Sequence, residues 1–291
     1  MTALQIQGRL FCALAALSAL ASRWLPAGDS QAEIILVTVL IIGLGVPHGA
    51  LDTIYAREVY GVSTPLTWVR FAVAYLLLGA LVVGLWILAP ALFLAGFLLI
   101  SIAHFSGDPE GACPGWVRVA QGGVIIFLPM LTHAPAISEL FGLLIGVPAG
   151  PALAAALGWL AWPWLVLSMA AVGWLAWRRS ALAWELGAIM LLALVLPPLL
   201  AFTLFFCGMH SARHILRTAR YAQNTSLGFL WGAALLPMVG VGLLTAAAWL
   251  WLPDRTLSAR LVQIIFVGLA ALTVPHMALV EPVRVRGWIK G

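Results

Sequence analysis

The chain has 291 residues, 63% of them apolar and 9% charged, with 14 Trp and 28 Gly. A water-soluble fold of this length cannot hide so much apolar surface, so composition excludes the soluble globular classes and implies an all-α, polytopic helical bundle in a lipid bilayer, a single integral-membrane domain over 1–291. The net charge of +5 comes almost wholly from arginines that fall singly or in small clusters between apolar runs, which reads as a set of topology signals and not as a nucleic-acid patch.

Charges and Pro/Gly clusters delimit apolar runs at roughly 10–26, 33–57, 66–88, 91–107, 117–144, 151–177, 183–196, 199–220, 227–251 and 258–280. A spanning helix needs about 20 apolar residues, so about 8–10 transmembrane helices are expected. The first run has Arg9 ahead of it and Ala19-Leu20-Ala21 near its end, the outline of a secretory signal. Small residues are equally at home in membrane helices, and an uncleaved first helix is the preferred reading. The second run carries GVPHGALD (Gly45 to Asp52), the fourth SIAHFSGD (Ser101 to Asp108), and the eighth HSARH (His210 to His214). The last contains TVPHMALVE, with His276. Cys12, Cys113 and Cys207 are far apart with no CxxC, so they are taken as packing residues.

The stretch 183–220 contains Pro197 and Pro198, which remove two backbone donors and should break a helix that would otherwise be too long. Positive charge discriminates between one crossing there and two. A single crossing leaves 8 Lys/Arg on the side of the N-terminus and 7 on the other, whereas two crossings give 12 and 3. The positive-inside bias then puts both termini in the cytoplasm. With two crossings His48, His104, His210, His214 and His276 also share one depth in the cytoplasmic half. His133 falls toward the outer end of its helix and is left out of that group, as a hydrogen-bonded or interfacial histidine.

Imidazoles within apolar runs need partners, because hydrocarbon offers their ring nitrogens no hydrogen bond, and a bound metal is the most economical one. His210 and His214 are an i, i+4 pair, about 6 Å apart along one helix face, by which one helix can grip a metal twice. His48 follows Pro47 and precedes Gly49, so its backbone should be irregular and open to close approach. His48 with Asp52, and His104 with Asp108, repeat an i, i+4 pattern in which the carboxylate can accept the second ring N–H of its own histidine. His276, between Pro275 and Glu281, reads as either a fifth ligand or a group that orients one. Four or five neutral imidazoles suit Fe(II), Cu or Zn alike. A cavity lined by aromatic and aliphatic side chains would admit a lipid-soluble substrate laterally.

PHGALD, AHFSGD and HSARH, followed by a later PH, resemble the Brp/Blh family of bacterial membrane β-carotene 15,15′-dioxygenases, over most of the chain from His48 to His276. The resemblance implies cleavage of β-carotene at its central double bond by O2 at an Fe(II) centre, giving two retinals that would pass to a microbial rhodopsin. Carried over residue by residue, the family's iron histidines fall on His48, His104, His210 and His214, with His276, Asp52 and Asp108 as the groups around them.

Three other readings compete. A membrane di-iron desaturase or hydroxylase also uses HxxxH boxes, but it needs more ligands than 6 His readily supply, and HxxHH is absent. A bis-histidine haem protein suits the acidic neighbours and the i, i+4 pair poorly. A non-enzymatic transporter would use the histidines and aspartates as a proton or ion relay. A retinal-binding opsin is excluded, because Lys290 is the sole lysine and no membrane helix can supply the Schiff-base amine.

Overall fold

The computed structural model describes residues 1–22, 30–223, 226–252 and 254–285, and among them all regular structure is helical. In chain order the helices are α1 (Ala3–Ala21), α2 (Gln31–Tyr60), α3 (Pro65–Leu88), α4 (Pro90–Phe105), α5 (Gly115–Thr132), α6 (Ala134–Ile145), α7 (Ala149–Gly158), α8 (Ala161–Trp177), α9 (Leu182–Val195), α10 (Pro198–Tyr221), α11 (Leu227–Trp251) and α12 (Leu257–Arg284). Seven are long and apolar enough to cross a membrane, or eight if α7 and α8, bent by 45° at their junction, form one span. α4, α6 and α9 are shorter apolar helices. The end of the expected run 10–26 and the charges Arg23, Arg286 and Lys290 lie outside the described residues.

Local chemistry sets the helix ends. Thr2 and Thr64 cap α1 and α3 by accepting from the backbone N–H three residues on, and proline occupies the first turn of α3 and α4, where no donor is needed. α2 stops at Gly61, whose φ of +62° is a left-handed conformation that glycine adopts without strain. As expected from the sequence, 183–220 is two helices: Leu196 and Pro197 are extended and Pro198 starts α10. The run 117–144 differs from expectation. It is also two helices, because His133 leaves helical geometry (φ −130°, ψ 33°) between Pro129 and Pro135, and Pro135 fits only in the first turn of a new helix.

α3 has no buried residue and α11 buries only Ala234, while both expose rows of leucine such as Leu77, Leu81, Leu236 and Leu243. In water such faces would aggregate, whereas against lipid they cost nothing. α5 is the most buried of the spanning helices, followed by α2 and α10, and these last two each widen into a π-helical turn, Ile41–Gly45 and Phe206–Ser211. The two wide turns meet where a Cβ on Gly45 would strike the Phe206 ring, so only glycine permits the approach. A second close approach seats α4. A side chain at Gly122 of α5 would strike Ile102 O and Ser106 Oγ, so the two backbones touch within two residues of His104.

Candidate metal centre

Five histidines from four helices converge: His48 from α2, His104 from α4, His210 and His214 from α10, and His276 from α12. The His48 ring centroid is 5.1 Å from that of His210, 5.4 Å from His214 and 5.3 Å from His276. His104 stands 4.4 Å from His210 and 5.2 Å from His276, and His214 stands 4.9 Å from His276. One ring nitrogen from each of His48, His104 and His276 lies within 4.8 Å of the other two, close enough to share one ion. His133 is not among them. It sits in the break between α5 and α6, with Nδ1 2.8 Å from Thr132 Oγ1.

The π-helical turns explain how one helix presents two ligands toward its neighbours. Widening α10 at Phe206–Ser211 places His210 at 2% exposure beside His48, and such single wide turns recur at functional sites because they re-aim side chains. The Phe206 ring stacks on His210 at 15° and meets His48 edge-on.

The surroundings decide which ring nitrogen is available. His48 Nδ1 lies 2.5 Å from Gly45 O, a carbonyl that can only accept, so Nδ1–H is the donor. Ser211 Oγ also touches Nδ1 and itself donates to Gly45 O at 2.6 Å, tying α10 to α2. His210 Nδ1 lies 2.9 Å from Asp108 Oδ1, and His276 Nδ1 lies 2.7 Å from Asp52 Oδ1. With Nδ1 occupied as donor, the lone pair in each ring is left on Nε2. The Nε2 atoms of His210 and His276 are buried and accept no hydrogen bond among the described residues. Each such buried, unsatisfied acceptor costs about 1–3 kcal/mol, a cost that a bound cation removes. The donor set therefore fits a metal: the imidazoles of His48, His210 and His276 are each held at Nδ1 by an acceptor, which leaves Nε2 to face an ion.

The carboxylate pairing corrects the i, i+4 expectation. Asp52 orients His276 and not His48, and Asp108 orients His210 and not His104. α4 ends at Phe105, so Asp108 lies beyond the helix on which an i, i+4 relation would hold. A break at Leu51 (φ −78°, ψ 0°) likewise separates His48 from Asp52. Asp52 has a further partner that the sequence does not advertise, the Tyr75 hydroxyl of α3, which donates to Oδ2 at 2.9 Å.

Two arginines taken as topology signals are also part of this construction. Arg213 is 1% exposed and donates to Glu185 at 3.0 Å through both terminal nitrogens, to Gln7 Oε1, and to the backbone carbonyl of Asp108 at 3.1 Å. Arg217 donates to the same carbonyl at 2.8 Å and to Gly107 O at 3.0 Å. The helix that carries His210 and His214 thus also fixes the loop whose carboxylate aligns His210. Removing either Arg213 or Glu185 would strand a buried charge, at a cost of about 3–5 kcal/mol. Both arginines are visible beside the HxxxH pair in the sequence, but nothing there separates a buried guanidinium from one at the membrane surface.

His48 and His276 form part of the wall of a cavity of about 680 Å3 between α2, α3, α11 and α12. Trp68, Phe71, Phe206, Phe229, Leu269 and Leu272 are part of its apolar lining. Leu76, Leu236 and Leu244 belong to its wall and are also exposed, so it opens on the lipid-facing side, while the exposed Arg57 and Glu58 mark a polar end.

Comparison with known proteins agrees with the motifs. The family described as beta-carotene 15,15′-dioxygenase matches residues 39–283. The beta-carotene 15,15′-dioxygenase of uncultured marine bacterium 66A03 is 31% identical over 83% of this chain and 90% of its own length. The probable beta-carotene 15,15′-dioxygenase Blh of Halobacterium salinarum is 28% identical over 81% of this chain and 80% of its own. No solved structure matches the chain. A match that spans all five converging histidines and most of the helices around them makes this chain a member of the beta-carotene 15,15′-dioxygenase family.

Proposed function

We propose that the protein cleaves β-carotene at its central 15,15′ double bond with O2, each half taking one oxygen atom as an aldehyde to give two retinals. In this reading His48, His104, His210 and His214 hold Fe(II) through Nε2, and His276, with an equally aligned Nε2, is a fifth ligand. Asp108 and Asp52 keep His210 and His276 in the ligating tautomer. The observation that carries the reading is a cluster of aligned imidazoles in the wall of a 680 Å3 apolar cavity that opens toward lipid. Iron held by these histidines would supply the activation of O2. The chain's own residues do the rest. Aromatic walls at Trp68, Phe71 and Phe229 grip a rigid polyene by its faces, and the apolar lining excludes water from the reacting bond.

Expression in bacteria that accumulate β-carotene tests this. Loss of orange colour should coincide with two retinals per carotene consumed, measured by chromatography. Unchanged carotene, or aldehydes of any other chain length, would contradict it.

A further inference from the structure

The histidine cluster separates two spaces of opposite character. His48 and His276 border the large apolar cavity, whereas His104, His210 and His214 border a second, small pocket of about 20 Å3. Asp108, Arg217, Glu281 and Arg284 make that second pocket polar. Glu281 and Arg284 are an ion pair one turn apart on α12, with side chains 37% and 27% exposed, so the pocket ends at a charged rim. Arg217, which lines the pocket, is paired at 2.9 Å with Glu110, whose side chain is 43% exposed. Gly107 allows the rim to close: a Cβ on it would stand 2.8 Å from Arg284 Cδ, so the arginine stem lies directly over the glycine.

The large cavity is the poorer way in for a divalent ion, because even at its polar end the Glu58 carboxylate stands beside the Arg57 guanidinium, which opposes a cation. The mouth of the large cavity is walled by leucines that face lipid, where a small dication loses its hydration and gains no ligand. The polar pocket offers carboxylates at its rim and three of the imidazoles at its floor. With Arg284 in place, Arg217 and Arg284 offset two of the three carboxylates, Asp108, Glu110 and Glu281. With Arg284 swung away, Glu281 is released and the passage becomes more negative, which attracts a dication.

We propose that Glu281 and Arg284 form a gate through which the metal reaches the histidines from the water side, with Glu281 as the first group to meet the ion. This rests on the metal-centre reading above. The full-length protein in detergent, stripped by a chelator, would be reloaded with Co(II), followed by stopped-flow absorbance and, at the end point, by mass spectrometry. Glu281→Gln should slow loading about tenfold and Arg284→Gln should accelerate it, both reaching the wild-type stoichiometry. Leu236→Trp, at the apolar mouth, should leave the loading rate unchanged. Wild-type rates in both gate variants, a lowered final stoichiometry in Glu281→Gln, or slow loading in Leu236→Trp would overturn the gate alone. A wild-type chain that takes up no Co(II) would overturn the metal centre, and the gate with it.

Discussion

Asp108 and His210 are 102 residues apart in the chain, yet Asp108 Oδ1 lies 2.9 Å from His210 Nδ1. The contact is held from both sides, because Arg213 and Arg217, on the same helix as His210, grip the backbone carbonyl of Asp108. Replacing the carboxylate by an amide keeps the shape and removes the charge that fixes the imidazole tautomer. Asp108→Asn should therefore weaken iron affinity about 10–100-fold in a chelator-competition titration, with little loss of folded protein. Unchanged affinity would show that Asp108 serves only to shape the loop.

The convergence of rings makes a direct prediction for the ligands. His48→Ala, His104→Ala, His210→Ala and His214→Ala should each lose bound iron and retinal formation, because each removes a donor from a site with few to spare. His133→Ala, in the α5–α6 break, should retain both. Full iron content in purified His104→Ala would break the proposed set.

Tyr75 acts on His276 only through Asp52, so its removal should be milder. A hydrogen bond to a carboxylate is worth about 1.5–3 kcal/mol, and with about 1 kcal/mol of it transmitted to the ligand, Tyr75→Phe should show a roughly fivefold weaker iron affinity and an altered absorption of the Co(II)-loaded protein. A Co(II) spectrum identical to wild type would leave Tyr75 as a lining residue alone.

Gly240 lines the large cavity, and a Cβ built on it meets nothing within 4 Å. Gly240→Phe should fill the cavity without disturbing the fold: iron content is expected to stay at the wild-type level while β-carotene turnover falls by at least about tenfold. Wild-type turnover with a phenylalanine in place would locate the polyene elsewhere.

The path of the chain through the membrane can be read with single cysteines. In a background lacking Cys12, Cys113 and Cys207, Arg57→Cys, Arg220→Cys and Arg255→Cys would be exposed to an impermeant thiol reagent on intact cells. If the chain crosses twice over 183–220 and both termini are cytoplasmic, as the charge distribution predicts, labelling is expected only at 255. Labelling at 220 would contradict that orientation.

Much of this architecture was legible beforehand because it depends on short-range physics. Pro197 and Pro198 cannot continue a helix whatever surrounds them, and the break is where they stand. The expected fifth run failed for a related reason: Pro129 and Pro135 together stop α5, but either one alone is tolerated in a membrane helix, as Pro237 is within α11.

Composition by itself determined that the chain is a helical membrane protein, the motifs gave a resemblance to this family, and the histidines of PHG, AHF, HSARH and the later PH were expected to belong together, since buried imidazoles in hydrocarbon demand partners. Tertiary structure alone decided who partners whom. Asp52 serves His276 and Asp108 serves His210, across helices, because backbone breaks at Leu51 and after Phe105 cancel the local spacing that would have tied each carboxylate to its own histidine. Packing likewise buried Arg213 against Glu185 and Gln7, where the sequence offered only a charge near a helix end. Spacing along a helix fixes what shares a face; which face meets which neighbour is a property of how the helices pack, and at this site the two wide turns at Gly45 and Phe206 set that packing.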